Sequence, residues 1–133
     1  MELAISTKKR KEIVDITDIV NEKLSKSNIT NGLCVLFIKH TTACLTTADL
    51  DPGTDEDMLD AFEALMPKLN YRHPHNPSHV TDHILSSIIG ASVTIPFKNE
   101  ELDLGTWQRV VLIELDGPRK RNVILKLVVA QGE

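Results

Sequence analysis

The amino-acid sequence predicts an α+β fold: a compact single domain over residues 1–133 with a mainly antiparallel β-sheet or sandwich and two to three flanking helices. The chain has 133 residues, a length typical of one domain. Segments with helical periodicity form a block in the middle of the chain, whereas the C-terminal part consists of apolar runs separated by turn residues. Separate blocks of helices and strands favour α+β over the regular alternation of parallel α/β folds.

The N-terminal part predicts a strand, a helix and a second strand. Residues 3–5 alternate apolar and polar side chains, as a short edge strand does. Apolar residues recur at helical spacing over 16–24, and Asp15 or Thr17 can cap that helix. Residues 33–38 are apolar at every position, which predicts a central strand covered on both faces.

The middle of the chain predicts an extended segment and two helices. Residues 40–47 are rich in β-branched side chains and are expected to be extended. Asp51, followed by proline, is expected to cap a helix that ends before Pro67. A further helix is predicted over 78–89, with Gly90 at its C-terminal end.

The C-terminal part predicts a β-meander. Its strands are expected at residues 93–97, 107–115 and 122–129. Polar turns at 98–101 and 116–118 separate them. Consecutive strands joined by short turns are expected to pair with one another as antiparallel neighbours.

Composition narrows the classes of function. With 41% hydrophobic and 26% charged residues and a net charge of -4, the chain resembles an ordinary soluble protein, and no charge excess points to a nucleic-acid or membrane partner. The N-terminus lacks the pattern of a secretion signal, so we expect a cytoplasmic protein. Cys34 and Cys44 are predicted to be free, buried thiols.

The histidines are the strongest functional signal. Of the five, His73, His75, His79 and His83 lie close together in sequence, and His40 follows the apolar strand. Imidazole is the commonest nitrogen ligand for zinc and titrates near neutral pH, so the cluster predicts a metal site or a proton-transfer site. The alternative is a group of solvated loop histidines around a proline-rich turn.

The spacing of two histidines also limits the metal chemistry. His79 and His83 are four residues apart and would share a helix face, as in an HExxH zinc helix, but no glutamate base follows His79. His73 precedes that helix and His40 could approach from the sheet. Three imidazoles from different elements would leave a fourth coordination position open, as in a catalytic zinc site.

Five motifs, in this order, resemble those of the YjbQ family. They are His-Thr-Thr-Ala at 40–43, Tyr-Arg-His at 71–73, His-Ile-Leu-Ser-Ser-Ile-Ile-Gly at 83–90 in the helix before Gly90, Leu-Gly-Thr-Trp-Gln at 104–108, and Asp-Gly-Pro-Arg-Lys-Arg at 116–121. The resemblance spans nearly the whole chain. It implies a compact α+β fold assembled as a homotrimer, with a metal site near a subunit boundary and secondary thiamine-phosphate synthase activity.

The resemblance also implies residue roles. His40, His73 and His83 match the metal-binding motifs, and zinc is the expected metal. His75 and His79 fall outside them. Family members commonly have an Asn-Glu pair where this chain has Asp49, so Asp49 is the candidate general acid or base.

Thiamine-phosphate synthesis would join a pyrimidine diphosphate to a thiazole phosphate and expel pyrophosphate, which requires cations around the leaving group. Arg119 and Arg121 are predicted to bind phosphate, and Thr41 and Thr42 to donate hydroxyl hydrogen bonds. A charged turn and a β-rich run explain the same four residues without a ligand. A diphosphate substrate could also bring magnesium, although three histidines suit zinc better. Trp107 could stack on a heteroaromatic ring, but a single tryptophan is more commonly in the core.

Two further hypotheses remain open. The chain could be a zinc-dependent hydrolase or lyase of a small phosphorylated metabolite, with Asp49 or Asp51 as general base and Arg119 or Arg121 holding the phosphate. It could instead be a non-catalytic trimeric module that binds a structural metal or a metabolite, a hypothesis that a fourth metal ligand such as Cys44 or His75 would favour. A nucleophilic role for Cys44 would require a lowered pKa, which no neighbouring residue in the sequence supplies.

Overall fold

The computed structural model describes residues 1–131, and residues 132–133 of the predicted domain lie outside the described residues. Within residues 1–131, three α-helices and eight strands in two antiparallel sheets confirm the predicted α+β class. The elements in chain order are β1 (Glu2–Ser6), β2 (Glu12–Asp15), α1 (Thr17–Ser25), β3 (Asn31–Ile38), β4 (Ala43–Ala48), α2 (Thr54–Leu65), a 3-10 turn (Pro77–His79), α3 (Val80–Ile89), β5 (Ser92–Lys98), β6 (Glu101–Leu102), β7 (Arg109–Glu114) and β8 (Lys120–Val129).

The C-terminal strands do not form the predicted meander. The larger sheet has the order β1-β8-β3-β5-β6 and the smaller sheet the order β2-β7-β4. β7 therefore leaves the sheet that contains its two sequence neighbours and pairs with β2 and β4 instead. The prediction failed because it did not include β2, a strand of four residues that pairs with β7.

In the described part of the chain, β7 is covered on both faces, whereas β3 is not. Val110 and Leu112 of β7 face the larger cluster of buried apolar side chains, which includes side chains from α1 and the larger sheet. Val111 and Ile113 face the second cluster, to which α2 and α3 contribute. β3 instead alternates between faces, and its Leu33 is 42% exposed. The apolar run of β3 thus indicates an uncovered sheet face in the single chain.

Two helix ends show how local chemistry sets boundaries. α2 begins later than predicted, at Thr54, because Asp51 forms a turn in which its carbonyl accepts a hydrogen bond from the Thr54 N–H at 2.9 Å. α3 ends as predicted at Gly90, which has φ 112, a left-handed backbone angle that favours glycine.

Three remote segments converge at the carboxyl end of β3. The Leu115 N–H donates to the Thr42 carbonyl at 3.1 Å, which ties the end of β7 to the β3–β4 loop. The Gly117 N–H donates to the Arg10 carbonyl at 2.8 Å, which ties the β7–β8 turn to the β1–β2 loop. Helix α3 packs beside β4. No helix within residues 1–131 is long and apolar enough to cross a membrane.

Candidate functional site

All five histidines of the chain line one open pocket of about 700 Å³. We call it the histidine pocket. Its walls come from the β3–β4 loop, the loop before α3, the first turns of α3 and the β7–β8 turn. The lining residues are Lys39, His40, Thr41, Thr42, His73, His75, His79, His83, Asp116, Arg119, Lys120 and Arg121. The fold therefore brings together every predicted metal ligand and every predicted phosphate-binding residue.

His73 and His83 form a stacked pair with a defined protonation pattern. Their ring centroids lie 4.9 Å apart with an interplanar angle of 27°. His83 Nδ1 donates to the Thr41 carbonyl at 3.1 Å, and His73 Nδ1 donates to the His75 carbonyl. In a neutral imidazole the proton on Nδ1 leaves Nε2 with its lone pair, and metal-binding histidines commonly use such carbonyl contacts to fix the ring. The Nε2 atoms of both rings are suited to a metal.

His40 has the same tautomer, but its Nε2 already has a hydrogen-bond partner. The Asn122 N–H donates to His40 Nε2 at 3.1 Å, which requires a neutral ring with its proton on Nδ1. Partial burial lowers the pKa of His40, and the charge of Arg121 lowers it further, whereas the carboxylate of Glu114 opposes the shift. His40 is therefore neutral near pH 7, but its Nε2 becomes available to a metal only if the Asn122 hydrogen bond is released.

The donor set fits a late transition metal in part. Nitrogen donors with fixed tautomers are present at His73 and His83. Within residues 1–131, no three His, Cys, Asp or Glu side chains are already arranged to hold a metal ion. Coordination by His40, His73 and His83 together would thus require a change in the orientation of the His40 ring, and this ligand set stays a prediction.

Arg121 lies in the wall of the pocket in a buried ion pair with Glu114. Arg121 is 2% exposed and Glu114 is fully buried. Arg121 Nε donates to Glu114 Oε1 at 2.9 Å, and its Nη2 donates to Glu114 Oε2 and to Thr42 Oγ1, the latter at 2.9 Å. Two of the guanidinium nitrogens already donate hydrogen bonds to protein groups. Arg121 and Thr42 therefore orient each other, and they have few unpaired groups with which to bind a ligand.

The carboxyl of Glu114 is held in its charged form. Burial alone would raise its pKa, but hydrogen bonds from Arg121, from the Thr7 hydroxyl at 2.6 Å and from the Asp116 N–H outweigh burial and lower the pKa below its ordinary value. A buried charge that is both paired and hydrogen-bonded is the form that proteins tolerate. The pair fixes β8 against β7 at the base of the pocket.

The exposed cations of the pocket are Arg119, Lys39 and Lys120. Arg119 is held by Asp116 through two hydrogen bonds. Arg119 Nε donates to the Asp116 carbonyl at 2.8 Å, and Arg119 Nη2 donates to Asp116 Oδ2 at 3.0 Å. Among the ion pairs within residues 1–131, none involves Lys39 or Lys120. A chain of net charge -4 thus concentrates positive charge in the pocket that all five histidines line, and this charge attracts anions.

The family model described as UPF0047 protein YjbQ-like matches residues 1–130. The chain belongs to the YjbQ family. A UPF0047 protein from Archaeoglobus fulgidus is 41% identical over 127 residues, which cover 95% of this chain and 98% of that protein. The UPF0047 protein YugU of Bacillus subtilis is 37% identical over 127 residues, which cover 95% of this chain and 96% of YugU. These matches confirm the resemblance that the five motifs predict.

Solved structures of YjbQ proteins show the same fold. A YbjQ-like protein from Sulfolobus solfataricus P2 superposes with a TM-score of 0.90 at 32% identity, over 98% of this chain and 96% of that chain. A YjbQ/UPF0047 family protein from Clostridium acetobutylicum superposes with a TM-score of 0.87 at 35% identity, over 96% of this chain and 99% of that chain. The order and packing of the elements described above are therefore properties of the YjbQ fold.

The predicted catalytic aspartates of this YjbQ protein do not line the histidine pocket. Asp49 and Asp51 are exposed and line a separate pocket of about 220 Å³ together with Trp107. Trp107 is 70% exposed, so its expected place in the core is wrong. It follows Gly105 in a turn closed by the Gln108 side chain, which accepts from the Gly105 N–H at 2.8 Å, outside both sheets. Within one chain, the histidines and these aspartates therefore lie in different pockets.

The two cysteines are free and buried, as predicted. Burial raises the pKa of the Cys44 thiol to about 12, and the neighbouring charge of Glu114 adds to the shift. A thiol with so high a pKa is not a nucleophile at neutral pH. Cys44 is a core residue.

Sequence reasoning missed some residues that line the pocket. Lys39 and Lys120 each precede a residue that was singled out, and Asp116 opens the last of the five motifs. His75 and His79, which fall outside the shared motifs, also face the pocket. Position within or beside a motif was the signal that could have identified the two lysines and the aspartate, and the histidine cluster was the signal for His75 and His79.

Proposed function

We propose that this YjbQ protein is a metal-binding enzyme that acts on small phosphorylated metabolites in the histidine pocket. One observation carries the proposal: all five histidines and the cations Arg119, Lys39 and Lys120 line the same pocket in a chain of net negative charge. Nitrogen donors favour a late transition metal and the cations favour a phosphate.

In this proposal His73 and His83 hold the metal through Nε2, and His40 joins them once its bond to Asn122 is released. Zinc is the preferred metal because the donors are imidazoles. Bound there, zinc would polarise a phosphoryl oxygen or lower the pKa of a water molecule. The carbonyls of Thr41 and His75 would keep the rings of His83 and His73 in the same orientation with and without the metal.

Arg119, Lys39 and Lys120 hold the phosphate in this proposal, with the hydroxyl of exposed Thr41 as a further donor. Thiamine-phosphate synthase activity is one reaction that such a site could support, because cations would stabilise the pyrophosphate that leaves the pyrimidine. Magnesium would then arrive bound to the diphosphate. A protein carboxylate is the other possible oxygen ligand, but Asp116, the carboxylate that lines the pocket, already accepts hydrogen bonds from Arg10 and Arg119.

A zinc-dependent phosphoester hydrolase or lyase is the second candidate, and the predominance of nitrogen donors favours it. Its general base would be Asp49 or Asp51 from a neighbouring subunit, since both lie outside the histidine pocket of their own chain. A non-catalytic trimeric module that binds metal or metabolite is the third candidate, distinguished by binding without turnover.

Assembly as a homotrimer is part of the proposal, and the outer face of the larger sheet supports it. On that face Leu33 of β3 lies opposite Val128 of β8, and Phe37 lies opposite Ile124. Leu33, Phe37 and Val128 are 42%, 44% and 52% exposed. Adjacent apolar side chains on an uncovered sheet face favour burial against another protein surface, here a second copy of the chain.

The function is tested by loading the protein with zinc or with magnesium and assaying two reactions. These are the release of pyrophosphate from the pyrimidine diphosphate and thiazole phosphate pair, and the hydrolysis of a panel of phosphate monoesters. Lys39→Ala and Lys120→Ala should each raise KM several-fold, whereas Lys26→Ala, which removes the same charge just after the end of α1 and outside the pocket, should not. Absence of turnover together with absence of phosphate binding would refute the proposal, and metal-dependent binding without turnover would favour the non-catalytic module.

A further inference from the structure

A second cavity adjoins the histidine pocket and shares three of its lining residues. It has a volume of about 460 Å³, and His40, Thr41 and His83 belong to both. Its other walls are small, uncharged residues: Ala43, Ser86, Ser87, Gly90 and Ala91. The cationic pocket and this neutral cavity are thus two compartments that meet at His40 and His83.

The second cavity contains an unpaired hydroxyl. Ser86 is 7% exposed, and its Oγ is the one buried side-chain polar atom within residues 1–131 that has no hydrogen-bond partner. A buried polar atom is normally paired, because an unpaired one loses its hydrogen bond to water without replacement. The hydroxyl of Ser87, the next residue, is paired in the usual way for a helix, because it donates to the His83 carbonyl at 3.0 Å. Ser86 Oγ is therefore available to hydrogen-bond with a group that enters the cavity.

We propose that the second cavity binds the uncharged, ring-sized organic part of a phosphate monoester whose phosphate lies in the histidine pocket. The inference rests on the proposed function and names the class of substrate for that site. The walls contain no charged side chain, which suits an uncharged group, and the small side chains leave space for one ring. The Ser86 hydroxyl selects rings that carry a hydrogen-bonding atom.

The proposal is tested with phosphonates, which cannot be hydrolysed at the bond to carbon. Isothermal titration of the zinc-loaded protein should show phenylphosphonate binding about tenfold more tightly than methylphosphonate, because only the phenyl compound places apolar area in the second cavity. Ser87→Gln should remove most of this preference by placing a polar side chain in the cavity, and should leave methylphosphonate binding unchanged. Ser25→Gln is the matched control, since the Ser25 hydroxyl likewise donates to a carbonyl of its own helix, that of Glu22 at 2.8 Å.

Pyridylphosphonates, with the ring nitrogen at each position in turn, test the role of Ser86. At least one of them should bind several-fold more tightly than phenylphosphonate, and Ser86→Ala should abolish that preference. Amide NMR shifts of residues 86–91 should change with phenylphosphonate and not with methylphosphonate. Equal binding of the phenyl and methyl compounds would overturn the inference while the proposed function stands. Failure of every phosphonate to bind would instead count against the proposed function itself.

Discussion

Arg119 and Asp116 form a two-point contact at the rim of the histidine pocket. Arg119 Nε donates to the Asp116 carbonyl at 2.8 Å, and Arg119 Nη2 donates to its Oδ2 at 3.0 Å. The other carboxylate oxygen accepts from Arg10 Nη1 at 3.1 Å, and Arg10 also approaches the buried carboxylate of Asp82 at 3.5 Å. A chain of alternating charges from the β1–β2 loop therefore fixes the direction in which Arg119 points.

Asp116→Asn should weaken the binding of inorganic phosphate about fivefold to tenfold, because Arg119 loses the charge that orients it. Stability should fall only modestly, because Asp116 is 12% exposed but both of its arginine partners are about half exposed. Titration calorimetry measures the affinity. Asp103→Asn, which removes an exposed carboxylate 3.9 Å from Lys98, is the control and should bind phosphate like the wild type. Equal affinities of Asp116→Asn and the wild type would show that Arg119 needs no orientation.

Glu114→Gln should destabilise the fold by about 3–5 kcal/mol, because it leaves the buried guanidinium of Arg121 without a counter-charge. The pKa of Glu114 is lower in the folded protein than in the unfolded chain, so its carboxylate contributes stability above the unfolded-state pKa and loses it as pH falls through the folded-state value. Urea unfolding should therefore show a loss of wild-type stability in acid that is smaller in Glu114→Gln. Identical acid dependence in the two proteins would contradict this assignment.

Ser86→Ala should leave the free energy of unfolding unchanged or raise it by up to about 1 kcal/mol, because the substitution removes an unpaired buried hydroxyl. Ser27→Ala is the contrasting control. The Ser27 hydroxyl donates to the Leu24 carbonyl at 2.7 Å and accepts from the Ile29 N–H at 3.2 Å, so its loss should cost about 1 kcal/mol. Denaturant titration compares the two variants. A larger loss in Ser86→Ala than in Ser27→Ala would mean that the Ser86 hydroxyl has a partner in solution.

Phe37→Glu should convert the predicted trimer into monomers, because it places a charge on the apolar outer face of the larger sheet. Leu69→Glu introduces the same charge at a side chain that is 64% exposed in the loop before α3, and it should remain trimeric. Sedimentation equilibrium distinguishes the two states. A wild-type protein that is monomeric at every concentration would refute the assembly.

Much of the fold follows from local sequence patterns. The glycine that ends α3 and the turn residues around β8 act within a few positions of themselves, so they could be identified directly. The partner of β7 could not be identified, because pairing with the short strand β2 depends on packing between remote segments. The apolar run of β3 was misleading for a related reason. Its outward side chains lie on a face of the sheet that no other element within residues 1–131 of the same chain covers.

The candidate site, like the fold, could be predicted from the sequence only in part. The motifs predicted that His40, His73 and His83 would meet, and they line one pocket. The bond from Asn122 to His40 joins residues 82 positions apart, and such a contact leaves no local pattern in the sequence. The burial of Arg121 against Glu114 was likewise hidden, since a charged turn on the surface has the same composition.

The most direct test of the metal-binding claim is the metal content of the purified, untagged protein, measured by elemental mass spectrometry for the wild type, His83→Ala and His79→Ala. The account predicts about one zinc or similar ion per wild-type chain, its loss in His83→Ala, and its retention in His79→Ala, whose ring contacts the Asn76 side chain at 3.2 Å. A folded wild-type protein without stoichiometric metal, or equal loss in both variants, would contradict the claim that the stacked pair of His73 and His83 holds the metal.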